Sequence, residues 1–258
     1  MAKHDSGQYW NQTWSPPVGC SHCSEGCLRC WAEAMARRHA GMGLLDAQVA
    51  RWDGTIRLRR HMLDAPRHWR KPRIVLTCAM TDLFHETMPF TWQEEILAIA
   101  QACRRHQFVI PTKRPANAIA VLDGIGEDPN EFPQPNIWLG ASICDQADAV
   151  RMLPSLCELA ARGWNTFIHA EPVLGPIELD EAYDEWWASA HCPRWIVAGG
   201  ETGPGARRCD VRWIIDLMLQ CEGNGIPFWF KGWGRCIPPG QEYGKLDGKQ
   251  CRQKPEGW

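Results

Sequence analysis

The 258-residue sequence predicts an α/β fold, a (β/α) barrel resembling the TIM type, either closed or incomplete. Three observations predict it. Apolar runs of strand length recur along the chain, they recur at a nearly constant interval of 29 to 33 residues, and each ends in a polar or glycine-rich group. The runs are "IVLTCAMTD" ending at Asp82, "QFVIPTKR" at Arg114, "NIWLGASI" at Ile143, "NTFIHAEP" at Pro172, "RWIVAGGE" at Glu201 and "IPFWFKGWG" at Gly234. A short strand near "QYWNQTWSP" precedes them, making at least seven.

Between the runs lie amphipathic stretches, "TWQEEILAIAQACRRH", "QADAVRMLPSLCELAARG" and "DVRWIIDLMLQCEGNG". Their apolar residues fall at helical spacing and they close in His or Gly, as helices do. Repeated βα units can close into a barrel or open into a doubly wound sheet. The polar strand ends favour the barrel, because six successive strands finishing in functional groups describe one rim, whereas an open sheet gathers its site at one switch point. Residues 235–258 carry too little apolar periodicity for an eighth unit and read as an irregular tail on a single domain spanning 1–258.

With 45% hydrophobic residues the chain is able to bury a full core. The N-terminus is polar and no apolar run reaches the roughly 18 residues of a membrane span. The expectation is a cytoplasmic protein without membrane contact. In a reducing compartment, 13 cysteines argue for metal ligation, redox chemistry or buried thiols rather than disulfides. Cys103, Cys157 and Cys221 sit in apolar helical patterns and read as core.

Four cysteines stand apart. "GCSHCSEGCLRC" places Cys20, Cys23, Cys27 and Cys30 within eleven positions, after the first strand and before the helix "LRCWAEAMARRHAG". That is the first βα loop, on the rim where a barrel binds ligands. Four thiols suit structural zinc in number, but CxxC knuckles usually stand about 12 to 20 residues apart, and here they nearly touch. An iron-sulfur cluster is larger and accepts thiolates from one loop. Cys23, Cys27 and Cys30 read CxxxCxxC, the spacing of radical S-adenosylmethionine enzymes. In those, three cysteines hold a [4Fe-4S] cluster whose fourth iron binds the cofactor, and an electron then splits the sulfonium to start radical chemistry.

Net charge is only −2, yet residues 51–73 hold eight Lys or Arg against Asp53 and Asp64, a local balance of +6. Trp52 and Trp69 interleave them, a combination suited to a phosphate backbone with bases to stack on. A solvated surface segment with paired arginines is the plainer reading.

The blocks "TWSPPVGC…SEGCLRCWAEAMA", "MTDLFHE", "TKRP", "NIWLGASI", "AEPVLGPI", "VAGGETGPGAR" and "PFWFKGWG" together resemble the phage-associated three-cysteine-motif proteins, a family similar to radical S-adenosylmethionine barrels. That family's spacing, CxxxxxxCxxC, falls on Cys20, Cys27 and Cys30, and this chain departs from it by adding Cys23. The third ligand is therefore Cys20 by family or Cys23 by generic spacing. Cys20 is preferred, since relatives without a cysteine at position 23 still hold their cluster. The resemblance implies a [4Fe-4S] cluster, S-adenosylmethionine and an electron donor such as flavodoxin or ferredoxin. It also implies a radical isomerase acting on amino-acid-modified thymidine in phage DNA, within the host cytoplasm.

The strand ends supply the remaining candidates. Asp82 suits the cofactor's amino group or, equally, caps the next turn. Lys113 and Arg114 suit a carboxylate or phosphate. Ser142 and Glu171 suit the cofactor carboxylate, its ribose or polar substrate groups. Gly199 and Gly200 permit close backbone approach, with Glu201 directed inward, or they form a turn. Lys231, Trp233 and Arg235 are placed to meet a base and its phosphate. His85 and His169 carry no assigned role, and no catalytic residue is singled out. The alternatives are a radical enzyme for another nucleic acid and a non-catalytic nucleic-acid-binding protein with a structural metal.

Overall fold

The computed structural model describes residues 7–126, 133–183, 193–256 and 258. Nine strands occur in it: β1 (Gln12–Trp14), β2 (Pro17–Val18), β3 (Arg57–Leu58), β4 (Ile74–Thr77), β5 (Gln107–Thr112), β6 (Ile137–Ala141), β7 (Asn165–Ala170), β8 (Ile196–Gly199) and β9 (Phe228–Gly232). Seven of them build one sheet in the order β1-β4-β5-β6-β7-β8-β9, with every pair parallel. Strand order follows chain order without reversal, so the sheet is wound in one direction, and it curls into a half-barrel. Among the described residues β1 and β9 do not pair, so the ring of strands is incomplete. β2 and β3 form a separate antiparallel ribbon.

The helices are α1 (Trp31–Gly41), α2 (Ala65–His68), α3 (Phe90–Ala102), α4 (Pro115–Ile125), α5 (Gln146–Ala161), α6 (Leu179–Ala182) and α7 (Val211–Gly223). From β4 onward one helix separates each pair of strands. Local chemistry sets their ends. The Asp145 side chain accepts from the Asp148 amide at 2.9 Å to start α5, and Asp210 accepts from the Arg212 amide at 2.9 Å to start α7. α4 opens on Pro115, whose missing amide hydrogen is not needed in a first turn.

Alternation along the strands divides the core in two. Phe108 and Ile110 of β5, Ile137 and Leu139 of β6, Ile168 and Ala170 of β7, and Phe228 and Phe230 of β9 pack outward against the helices. Val109, Trp138, Phe167, Val197 and Trp229 point the other way and meet Tyr9 and Trp195 inside the curl, with Trp258 against them. This aromatic plug fills the base of the half-barrel. Continuing the same alternation toward the strand ends brings Pro111, Lys113, Ser142, His169 and Glu171 onto the inner wall above the plug, where they line one cavity.

No helix of the described residues is long and apolar enough to cross a membrane. The described residues of 235–258 contain no helix or strand, yet they are not loose. The Cys251 carbonyl accepts from the Phe230 amide, and the Gln253 amide donates to the Phe228 carbonyl, so the segment runs antiparallel along the outer edge of β9.

Candidate functional site: a thiol-lined cavity at the strand ends

The cavity stands at the C-terminal ends of the strands and opens into a bowl of about 780 Å³ counted out to solvent. Cys20, Cys27 and Cys30 line it and Cys23 does not. Cys23 is exposed, with its thiol against that of Cys27, while the other three are half-buried. The cysteines among the described residues form no disulfide. Among those residues no group of three or more His, Cys, Asp or Glu is gathered to hold a single metal ion.

The cysteine loop is held from several directions. The Gly19 amide donates to the Met80 carbonyl at 3.1 Å, the Thr81 hydroxyl donates to the Gly19 carbonyl, and the Gly54 amide donates to the Cys20 carbonyl at 3.0 Å. A buried histidine fixes its middle. The Thr87 amide donates to His85 Nδ1 at 3.1 Å, which puts the ring proton on Nε2, and Nε2 donates to Ser21 Oγ at 2.7 Å. Burial holds His85 below the ordinary imidazole value, so it stays neutral in this role.

On the opposite side Arg207 forks onto Glu201, with Nη2 to Oε1 at 2.6 Å and Nε to Oε2 at 3.1 Å, and a further Nη2 bond at 3.0 Å reaches the Glu25 carbonyl in the cysteine loop. Gly26 completes the seat. A Cβ there would overlap the Cys144 sulfur and come within 3.3 Å of Lys113 Cε, so only glycine lets the turn at Glu25–Cys27 descend onto the ends of β5 and β6.

The thiols differ electrostatically. The hydrogen bond from the neighbouring Cys23 thiol, opposed by burial and helped by Lys113, draws Cys27 below the ordinary thiol value. Burial, with Asp82 adding to it, pushes Cys20 up to about 12, and burial also raises Cys30. Trp52, in a left-handed backbone conformation at φ 58°, packs over Ala32 and Ala36 beside Cys20 and Cys30 and lines the cavity.

The other sequence candidates take distinct places. Asp82 is buried with both carboxylate oxygens engaged: Oδ1 accepts from the Phe84 amide and the Thr112 hydroxyl, and Oδ2 from the Lys113 amide and Arg114 Nη1. It ties the ends of β4 and β5 together. Arg114, also buried, gives Nε to Glu86 at 2.7 Å and is held fully cationic, because Glu86 and Asp82 outweigh the cost of its burial. Lys113 also lines the cavity; burial disfavours its charge, but Cys144, Cys27 and Asp148 hold it protonated. Among the described residues its ammonium has no hydrogen-bond partner, which leaves it available to a ligand. Ser142 lines the wall beside it.

Glu171 lines the floor and pairs with Lys231, whose ammonium stands 4.8 Å over the Trp10 ring. Burial opposes the charge on Glu171, yet Lys231 and His169 together hold it at about 2. Gly199 is not demanded by that pair: a Cβ would meet Lys231 Cβ at 3.4 Å and Glu171 Cδ at 3.7 Å, ordinary contacts, and the Gly232 carbonyl at a tighter 3.3 Å. Gly200 is required by backbone packing instead: a Cβ would run into the Trp233 carbonyl. Glu201 turns to Arg207 and does not line the cavity.

Of the residues expected at the substrate, Trp52 lines the cavity; Lys231, which pairs with Glu171, and three others do not. Trp69 packs against the outer core, edge-on to His106 at 5.5 Å. Trp233 is fully buried, its indole donating to the Lys245 carbonyl at 3.0 Å. Arg235 is exposed and contacts the Glu201 carbonyl through its own amide.

Sequence reading did not single out Trp31, Gly26, Cys144 or Arg207. Trp31 is both a cavity residue and 43% exposed, an aromatic lip at the mouth. Its position directly after Cys30 in the chain was the available signal.

Fold and site define a class: a parallel α/β half-barrel whose strand ends and first βα loop enclose a thiol-lined cavity. Over residues 5–255 the chain matches the model of the DUF5131 family, described as a protein of unknown function, and it belongs to that family. No curated protein and no solved structure matches it.

Proposed function

We propose that the chain is a radical S-adenosylmethionine enzyme that holds a [4Fe-4S] cluster through Cys20, Cys27 and Cys30 and acts on a nucleobase in DNA, an amino-acid-modified thymidine, as an isomerase. The observation that carries this reading is the division of the four thiols: three share one cavity at the strand ends and the fourth lies outside it. Thiolates that ligate a cluster must surround a core of several atoms, a wider arrangement than the grip on one ion. Three thiols from one loop facing one cavity meet that need and leave a side open. Bound there, the cluster would supply the electron that cleaves S-adenosylmethionine.

The chain's own groups would do the rest. Lys113, a cation without a hydrogen-bond partner, would hold a carboxylate of the cofactor, with Ser142 beside it. Asp82 and Arg114, fully engaged with each other and with Thr112 and Glu86, would hold Lys113 in place. Trp52 and Trp31 would exclude water from the mouth and offer faces to a base. DNA is supported by the exposed cations of residues 51–73. Of these, Arg57, Arg60 and Arg67 face Asp46, Glu95 and Asp64, while Arg51, Arg70 and Lys71 form no ion pair among the described residues. A base would have to leave the duplex to reach the cavity. An electron donor such as flavodoxin or ferredoxin completes the scheme.

The test is anaerobic reconstitution with iron and sulfide, followed by a search for 5′-deoxyadenosine with and without DNA carrying the modified base. Four irons per chain and deoxyadenosine that rises with DNA are expected. A protein that takes up no iron and cleaves no S-adenosylmethionine refutes the assignment.

A further inference from the structure

Cys23 is the thiol that the cluster reading leaves unused. It is exposed and does not line the cavity, yet it is not isolated, because its S–H donates to the Cys27 sulfur. One tight turn brings the two together. The Cys27 amide donates to the Ser24 carbonyl at 3.0 Å, the Leu28 amide donates to the Glu25 carbonyl at 3.2 Å, and the Ser24 hydroxyl lies 3.8 Å from the Cys27 sulfur. Gly26, seated against Cys144, keeps the turn in this shape. An exposed thiol touching a half-buried one across a single turn can be bridged with little backbone movement.

The other thiols nearby are placed differently. Cys20 turns its S–H to the Ser21 carbonyl at 3.5 Å, and Cys20 and Cys30 pack against Trp52, Ala32 and Ala36. Cys78 and Cys144 are buried, at 2% and 0% exposure. An oxidant arriving from solvent therefore meets Cys23 first, and the sulfur in contact with it is that of Cys27.

We propose that Cys23 and Cys27 are a reversible oxidation site, joined as a disulfide by a peroxide before the cluster is loaded. Peroxide transfers one oxygen to Cys23, giving a sulfenic acid and one water. The Cys27 sulfur then attacks the Cys23 sulfur, the S–S bond forms, and the sulfenic oxygen leaves with the Cys27 proton as a second water. Two thiols are oxidised and one peroxide is reduced. Cys27 cannot ligate iron while its sulfur is bonded to Cys23, so the link blocks loading until a dithiol reductant reopens it. It also stops Cys27 from climbing to sulfinic and sulfonic acids, which a dithiol does not reverse. The chemistry of the link stands on the loop alone, and its effect on loading rests on Cys27 as a cluster ligand.

The experiment treats the full-length chain, before reconstitution, with hydrogen peroxide, alkylates the remaining thiols and maps the peptides by mass spectrometry. The expected product joins Cys23 to Cys27, both unalkylated, and is lighter than the reduced peptide by two hydrogens. Anaerobic reconstitution of that sample should incorporate at least about fivefold less iron than the untreated chain, and dithiothreitol should restore the iron. In Cys23→Ser the Cys27 sulfur has no partner, so after the same treatment dithiothreitol should restore less than about half of the iron. A treated wild type without the Cys23–Cys27 link overturns the proposal, as does a Cys23→Ser chain that recovers as fully as the wild type. An untreated chain that takes up no iron refutes the cluster reading instead, and the peptide map still judges the link.

Discussion

Gly26→Ala offers a direct test of how the cysteine loop is seated. The added Cβ would fall well inside the 3.0 Å that real Cβ contacts do not cross, with the Cys144 sulfur as the obstacle, and 3.3 Å from Lys113 Cε. Lys113 can swing away at its flexible end. Cys144 cannot, because it is fully buried, its amide donates to Asp148 at 3.3 Å and its carbonyl accepts from Leu174 at 2.7 Å. The loop must therefore lift, at a cost of about 1–3 kcal/mol typical of overpacking, and it carries the adjacent Cys27 with it. Iron retained after anaerobic reconstitution should fall to less than about half of the wild-type value, although no thiol of the cavity has been altered. Cys144→Ala deletes the obstructing sulfur and leaves its Cβ at 3.4 Å, an ordinary contact, so the double variant should recover both iron and melting temperature. A Gly26→Ala protein that binds iron normally, or a double variant no better than the single one, would refute this account of the seat.

Four further outcomes are expected. Cys23→Ala should keep nearly all its iron while Cys20→Ala, Cys27→Ala and Cys30→Ala each lose most of it, measured as iron per chain; equal loss in Cys20→Ala and Cys23→Ala would contradict a three-thiol site. Glu171 is held at about 2 against an ordinary 4.5, so its contribution, on the order of 3 kcal/mol, is present above about pH 4.5 and lost as pH falls toward 2. Urea denaturation across that window should show the loss, and Glu171→Gln should flatten it. Arg207→Ala leaves the buried Glu201 without its fork and frees the Glu25 carbonyl, which should cost about 1.5–3 kcal/mol and speed proteolysis of the cysteine loop. Replacing Arg70 and Lys71 by alanine should lower the slope of log affinity for single-stranded DNA against log salt by about 1.4, and an unchanged slope would remove that segment from the interface.

Much of the fold was legible because each strand is a compact apolar run closed by a polar group, a local signal. "IVLTCAMTD", "NIWLGASI" and the others contain the strands found, and the first βα loop carries the cysteines to the rim as the βα order requires. The ribbon of β2 and β3 was not legible, since two-residue strands from positions 17 and 57 have no period. Within the site, polar residues at strand ends were recognisable as rim groups, but not their partners. Glu201 is answered by Arg207 across a turn and Asp82 by Thr112 and Arg114 across strands, and such pairings depend on three-dimensional neighbours. Tryptophan was the least informative residue. Trp52 lines the cavity while Trp69 and Trp233 fill the core, and an indole in sequence looks the same in either place.

The unjoined strands β1 and β9 leave a seam, and the two ends of the described chain meet along one side of it. The Trp229 indole donates to the Gly7 carbonyl at 2.8 Å, Tyr9 and Trp10 lie against the inner wall, and Cys251 and Gln253 bind the outer edge of β9. Curvature of the sheet is thus fastened by a clasp made of its earliest and latest segments. During synthesis the bowl cannot take its final shape until residues 251–253 have emerged, and a substitution in either of these segments acts on the walls of the cavity rather than on a dispensable fringe.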